Sequence, residues 1–120
     1  MATIYNVLII IYTKLITIMK IKMNIKLKGI DGEELPTNRG TVMTFREVAI
    51  TSLLTPLEGD DDKKKFEKWE TYKKLRDSKD EVDLTIDDLG LIKKSIGKFQ
   101  PPLIMGQCWE LLEAKESKSK

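Results

Sequence analysis

The chain has 120 residues, of which 33% are charged and 41% apolar, and its formal net charge is +2. This length suits one domain, and this balance is typical of a globular protein rather than a disordered one. There is no histidine and Cys108 is the only cysteine, so His-based zinc sites, Ser-His-Asp triads and intrachain disulfides are excluded. The near-neutral charge disfavours nucleic acid as a partner.

Residues 1–18 are an apolar extension with one lysine and no acid. The extension is shorter than the roughly 20 apolar residues of a transmembrane helix, and it lacks the basic start and the cleavage site of a signal peptide, so no membrane role is predicted. Two interpretations stay open: an extra strand or helix covered by a partner, or a misassigned start, with translation beginning at Met19 or Met23. The apolar alternation changes phase at residues 18–19, which favours a boundary there.

Residues 20–28 show the clearest strand pattern, with lysines alternating with apolar residues. The turn signal Asp31-Gly32 predicts a hairpin with a short return strand, in which Glu33-Glu34 partly neutralise the lysines. The lysine face is interpreted as a solvated edge that blocks unwanted strand pairing, although it could also meet an acidic partner.

Helix signals follow along the rest of the chain. Thr44 and Thr85 are N-cap residues, each with an acid three positions later, and Pro56 and Pro101-Pro102 end helices. Four helices are predicted near residues 45–54, 63–78, 86–98 and 102–114. The fold class is therefore α+β, with one N-terminal β-hairpin packed on four short helices in a single domain over residues 19–115. A charged linker over 77–83 and a disordered tail over 116–120 complete the prediction.

The second helix carries a stripe of aromatic and apolar residues at a spacing of three: Phe66, Trp69, Tyr72 and Leu75. Core packing is the simpler interpretation. The alternative is an aromatic surface that stacks on a base or on a side chain of a partner.

One anion-binding or ligand-binding site is predicted where the third and fourth helices join. A helix that begins at Pro102 directs its first free N–H groups and its positive dipole end toward an anion near Leu103, Ile104 and Met105. Lys94 and Lys98 lie just before this joint and supply positive charge. The alternative is that both lysines only complement the C-terminal end of the third helix.

The sequence contains no motif typical of an active site or a metal site. The acidic run 60–62 lacks the spacing and glycine of an EF-hand, and its carboxylates suit a helix N-terminus instead. No nucleophile is paired with a base and no Gly-rich phosphate loop is present, so the chain is predicted to be neither an enzyme nor a holder of a cofactor or metal. Cys108 is predicted to be an inert core thiol.

A resemblance covers roughly residues 20–113. The hairpin and the capped helix at Thr44 resemble the N-terminal half of small proteins encoded by tailed bacteriophages and prophages. The C-terminal half is similar through its spacing of Val82-Asp83-Leu84-Thr85, Ile92-Lys93, Gly97-Lys98, Pro101-Pro102-Leu103, Gly106-Gln107 and Trp109-Glu110-Leu111-Leu112. The resemblance implies a viral accessory protein acting in the host bacterial cytoplasm.

Two alternative functions are therefore predicted. The first is a non-enzymatic binding protein that antagonises host antiviral defence, either by blocking a defence protein or by sequestering a nucleotide second messenger. The second is a virion assembly protein. The unpaired hairpin edge and the apolar extension favour a homo-oligomer in either case.

Overall fold

The computed structural model describes residues 18–118, so the predictions for residues 1–17 and 119–120 lie outside the described residues. The elements in chain order are β1 (Met19–Lys22), α1 (Phe45–Leu54), α2 (Asp62–Arg76), β2 (Glu81–Leu84), α3 (Ile86–Phe99) and α4 (Pro102–Lys118). The predicted α+β class with four helices is confirmed. Helix α4 extends to Lys118, so it includes residues 116–118 of the predicted tail.

The strand β1 pairs with β2 rather than with its neighbour in sequence. The two strands are antiparallel, from Met19 opposite Leu84 to Lys22 opposite Glu81. The prediction of a charged linker over 77–83 is therefore wrong for Glu81 onward. The strand signal there is weak because Val82 and Leu84 are the only apolar residues in its alternation.

The predicted hairpin follows β1 as a short irregular segment. Lys28 forms a bridge with Glu34, and the Leu35 N–H donates to the Leu27 carbonyl at 3.0 Å. Gly32 in the turn has a φ of 82°, which suits glycine because it lacks a Cβ. The predicted charge neutralisation is found at one position, where Lys26 lies 3.4 Å from Glu34.

The hairpin is attached to α4 by one amide side chain. Gln107 accepts from the Lys28 N–H and donates to the Lys28 carbonyl, both at 2.8 Å, as a neighbouring strand would. The apolar face of this segment, with Met23 and Leu27, lies in the core. A hairpin that is marginal alone is thereby supported by a helix of the same chain.

The core is centred on α1, which packs against both α2 and α3. Phe45, Val48, Ala49 and Leu53 are buried on α1, and the buried residues of α3 and α4 complete the cluster. Cys108 is part of it, and burial raises the pKa of its thiol to about 12, so the thiol is protonated at neutral pH. The predicted inert core cysteine agrees with this environment.

The prediction that the α2 stripe packs in the core is wrong for its first two members. Phe66 and Trp69 are 61% and 44% exposed, whereas Leu75 is buried and Tyr72 is half-buried. A spacing of three drifts around a helix of 3.6 residues per turn, so one stripe cannot stay on one face. The residues of α2 that face the core are Lys68, Thr71 and Leu75.

Both threonine caps are present, but they differ in completeness. The Thr85 side chain accepts from the Asp88 N–H at 3.1 Å, and Asp88 accepts from the Thr85 N–H at 3.1 Å. Thr44 accepts from the Glu47 N–H at a longer 3.4 Å. Burial raises the pKa of Asp88. Its hydrogen bonds with Lys74 and Thr85 lower the pKa by more than burial raises it, so the pKa of Asp88 lies below its usual value.

Thr85→Ala is expected to lower the free energy of unfolding by about 1 kcal/mol, the usual effect of losing an N-cap. Thr44→Ala is expected to cost less than Thr85→Ala because its single cap bond is long. Urea unfolding of both variants measures the difference. Equal losses of stability in the two variants, or no loss in Thr85→Ala, would contradict a stabilising role for the two reciprocal hydrogen bonds between Thr85 and Asp88.

Candidate functional site

An open groove of about 480 Å³ lies between α3 and α4, and we call it the α3–α4 groove. Its polar lining is basic, and its apolar lining includes one aromatic and one thioether side chain. The lining residues are Gly90, Lys93, Lys94, Gly97, Lys98, Met105 and Trp109. Its volume is within the usual range for small-molecule sites.

Two glycines of α3 give this groove its shape. Gly90 and Gly97 are seven residues apart, two turns of helix, and so lie on the same face. At Gly97 an added Cβ would come within 2.8 Å of the Trp109 ring, so the indole needs this glycine. At Gly90 an added Cβ would meet nothing within 4 Å, so packing does not require glycine there.

Trp109 is fixed against α3 by three contacts. Its Nε1 donates to the Lys93 carbonyl at 2.9 Å, and its ring packs on Gly97. The Lys93 ammonium lies 4.9 Å from the ring centroid and 3.0 Å from the Glu113 carboxylate. Lys93 is thus held by neighbours within the fold, and the indole forms a rigid wall of the groove.

Lys94 and Lys98 are exposed on successive turns of α3, and we call them the α3 lysine pair. Within residues 18–114, no carboxylate lies within 4.0 Å of either ammonium. Both also line a smaller cavity of about 90 Å³ that Lys64, Lys68 and Asp60 border. The pair therefore lies between the α3–α4 groove and a smaller cavity of mixed charge, in which Asp60 interacts electrostatically with Lys98.

The predicted site is brought together in part. Lys94, Lys98 and Met105 line the α3–α4 groove, while Leu103 and Ile104 do not. The N–H groups of Ile104 and Met105 donate to the Pro101 carbonyl at 3.1 and 2.9 Å. Two of the three predicted N–H donors are thus used within the helix, and the positive charge comes from side chains.

Sequence reasoning missed Gly90, Lys93, Gly97 and Trp109 as lining residues. The two glycines at an interval of seven were the available signal, because an interval of two turns places them on one helix face. Their effect depends on the neighbouring helix, which the sequence does not place.

No family model, curated protein or solved structure matches this chain. The likeness to phage-encoded proteins stays a resemblance of spacing.

Among residues 18–114, whose side chains the structure describes, no group of three or more Asp, Glu, Cys or His side chains is placed to hold a metal ion. None of the helices described within residues 18–118 has the length and apolar character needed to cross a membrane.

Proposed function

We propose that this protein is a phage-encoded, non-enzymatic binding protein that antagonises host antiviral defence in the bacterial cytoplasm by sequestering a nucleotide signal. The observation that carries the proposal is that the α3 lysine pair borders the partly apolar α3–α4 groove and that, among residues 18–114, no carboxylate lies within 4.0 Å of either ammonium. The phage-like spacing supplies the biological setting.

The groove carries energetic costs that the fold itself does not require. Like charges at positions i and i+4 of a helix destabilise it by about 0.2–0.5 kcal/mol, and Lys94 and Lys98 have this spacing, although Lys98 in the last turn also complements the C-terminal end of α3. A glycine inside a helix costs about 1 kcal/mol relative to alanine, and Gly90 has open space beside it. Ligand binding accounts for both features, since an anion neutralises the lysines and the missing side chain leaves room.

The lining matches the two halves of a nucleotide. Ammonium groups of the α3 lysine pair would hold phosphate oxygens through charge-assisted hydrogen bonds. Met105 and the accessible part of Trp109 would contact the apolar faces of a base or sugar. An acidic side chain of a defence protein would satisfy the lysines but leave the rest of the groove unused.

Calorimetric titration with cyclic dinucleotides and cyclic trinucleotides tests the proposal. Lys98→Glu is expected to weaken binding more than tenfold, since a charged hydrogen bond contributes at least about 1.5 kcal/mol. Binding should also weaken with salt, which screens exposed charges beyond about 8–10 Å. Gly90→Ala should fold at least as stably as wild type and bind more weakly, because its methyl group enters the groove.

Lys63→Glu is the matched control, because Lys63 is an exposed lysine on α2 outside the groove. It makes the same charge change and should leave affinity within twofold. Absence of heat with every nucleotide, or equal losses for Lys63→Glu and Lys98→Glu, would overturn the nucleotide proposal and leave the blocking of a defence protein.

The second candidate function is virion assembly, and the exposed Phe66 and Trp69 favour it because large apolar side chains on a surface mark contact sites. An assembly protein should be present in purified particles or their precursors. Native mass spectrometry of the purified protein would also test the predicted homo-oligomer and reveal a co-purified small ligand.

A further inference from the structure

A second groove, of about 280 Å³, lies between the C-terminal end of α1 and the middle of α2. Its apolar walls include Leu54, Pro56 and Trp69, and its charged lining residues are Asp60, Lys65 and Lys68. Leu54 is 49% exposed and Trp69 is 44% exposed, so two large apolar side chains face solvent here. We call this surface the Leu54–Trp69 groove.

One wall of this groove is held in place before any partner arrives. The Trp69 ring lies 5.2 Å from the Tyr72 ring at an angle of 39°, and the Arg76 guanidinium lies 5.7 Å from the Tyr72 ring centroid. Phe66, one turn earlier on α2, is also exposed but lines a different depression, between α2 and α3. A preordered aromatic wall loses little side-chain entropy on binding, as interface anchors require.

The charges around the groove select the partner. Lys68 is bound to Asp60 at 2.6 Å, Lys64 to Glu67 at 3.3 Å and Lys73 to Glu70 at 3.0 Å. Lys65 is exposed at the rim, and within residues 18–114 no carboxylate lies within 4.0 Å of its ammonium. A partner that brings a carboxylate would therefore gain an ion pair beside the apolar contact.

Other occupants fit these features less well. Single-stranded nucleic acid would meet aliphatic walls at Leu54 and Pro56, which offer no stacking face. Of the two lysines that line the groove, Lys68 is already paired with Asp60, which leaves Lys65 alone to hold a phosphate. The extension over residues 1–17 of this chain has Lys14 and no acid, so it would bring like charge to Lys65. An acidic protein segment with one large apolar side chain matches both the walls and the rim.

We propose that the Leu54–Trp69 groove docks an acidic amphipathic segment of a partner protein. A leucine or phenylalanine of the segment enters between Leu54 and Trp69, and a neighbouring carboxylate pairs with Lys65. This site shares no lining residue with the α3–α4 groove, so peptide binding here and nucleotide binding there can be tested independently.

The test uses two synthetic helical peptides with the same leucine and phenylalanine anchors, one flanked by glutamates and one by lysines. The glutamate peptide is expected to bind wild type at least tenfold more tightly than the lysine peptide in fluorescence anisotropy. Trp69→Ala should weaken its binding at least tenfold, and Lys65→Glu should reverse the preference between the two peptides. Lys63→Glu, two residues away and outside this groove, should change neither affinity by more than twofold.

Leu54→Ser provides a second apolar variant, and circular dichroism checks that each variant is folded. The proposal is overturned if neither peptide binds folded wild type. It is also overturned if Lys65→Glu and both apolar variants bind the peptides with the same affinities as wild type. It is also overturned if single-stranded DNA competes with the glutamate peptide through Trp69, or if the groove is blocked by self-association of the chain.

Discussion

Lys68→Met is expected to lower the free energy of unfolding by about 3 kcal/mol, at the lower end of the effect of breaking a buried ion pair. The Lys68 ammonium lies 2.6 Å from Asp60, and the two side chains are 5% and 10% exposed. The same ammonium lies 3.5 Å from the Thr55 carbonyl, so it joins the α1–α2 connection to α2. Removing it leaves a carboxylate that is shielded from water, with the Leu57 N–H as its hydrogen-bond donor and Lys98 as an electrostatic neighbour.

The double variant Asp60→Asn, Lys68→Met separates the cost of leaving Asp60 unpaired from the cost of changing the side chain at position 68. It removes both charges, so no unpaired ion is left, and it is expected to lie within about 1 kcal/mol of wild type. Chemical denaturation of the single and double variants completes the cycle. If the losses in free energy of unfolding of the two single variants add up to the loss of the double variant, the two charges do not stabilise each other.

The same pair gives stability a pH dependence. The hydrogen bond from Lys68 holds the pKa of Asp60 below its usual value, with the Leu57 N–H contributing. A carboxyl with a lowered folded pKa stabilises the protein above its unfolded pKa, near 4, and loses this effect as the pH falls through the folded pKa. Wild type should therefore lose more stability than the double variant when the pH drops below about 4.

Arg46→Ala is expected to cost about 2–3 kcal/mol, because charged hydrogen bonds are each worth about 1.5–3 kcal/mol and are not additive. From α1, the Arg46 guanidinium donates to the Leu75 carbonyl at 2.6 Å, to the Ser78 hydroxyl at 3.0 Å and to the Lys79 carbonyl. These bonds hold the turn between α2 and β2 against α1.

Arg46→Lys should recover part of this loss, since one ammonium keeps the charge but cannot reach all the acceptors in the planar pattern of a guanidinium. Arg39→Ala, in the exposed loop before α1, should stay within about 0.5 kcal/mol of wild type. Hydrogen exchange should show faster opening of β2 in Arg46→Ala. Unchanged protection of β2 would show that Arg46 does not hold this turn.

The sequence placed the starts of the four described helices to within one residue because helix starts are set by near neighbours, whereas the second helix ends two residues earlier and the fourth four residues later than predicted. The predicted bounds of the first helix agree with Phe45–Leu54, and the third ends one residue beyond its predicted limit. Thr44 and Thr85 form caps with N–H groups three residues away, and Thr55 ends α1 with bonds to the Thr51 carbonyl. Such contacts need no knowledge of the rest of the chain.

The candidate site was predicted only in its charged part. Lys94 and Lys98 were identified from their place near the end of α3, and both line the groove. Trp109 was assigned to a helix but not to this wall, because its contact with Gly97 joins two helices. The expected N–H donors failed to stay free because the Pro101 carbonyl accepts from two of them.

Local patterns in the sequence were enough to predict the α+β class, the four helices and the alternation that buries Met19, Ile21 and Met23, since each depends on contacts or periodicity within a few residues. Tertiary structure alone decided that β1 pairs with β2, that Lys68 is buried against Asp60, and that Trp69 faces solvent. The physical reason is that a local pattern fixes which residues share a face of an element. The neighbour that covers that face is chosen by contacts between segments far apart in the chain.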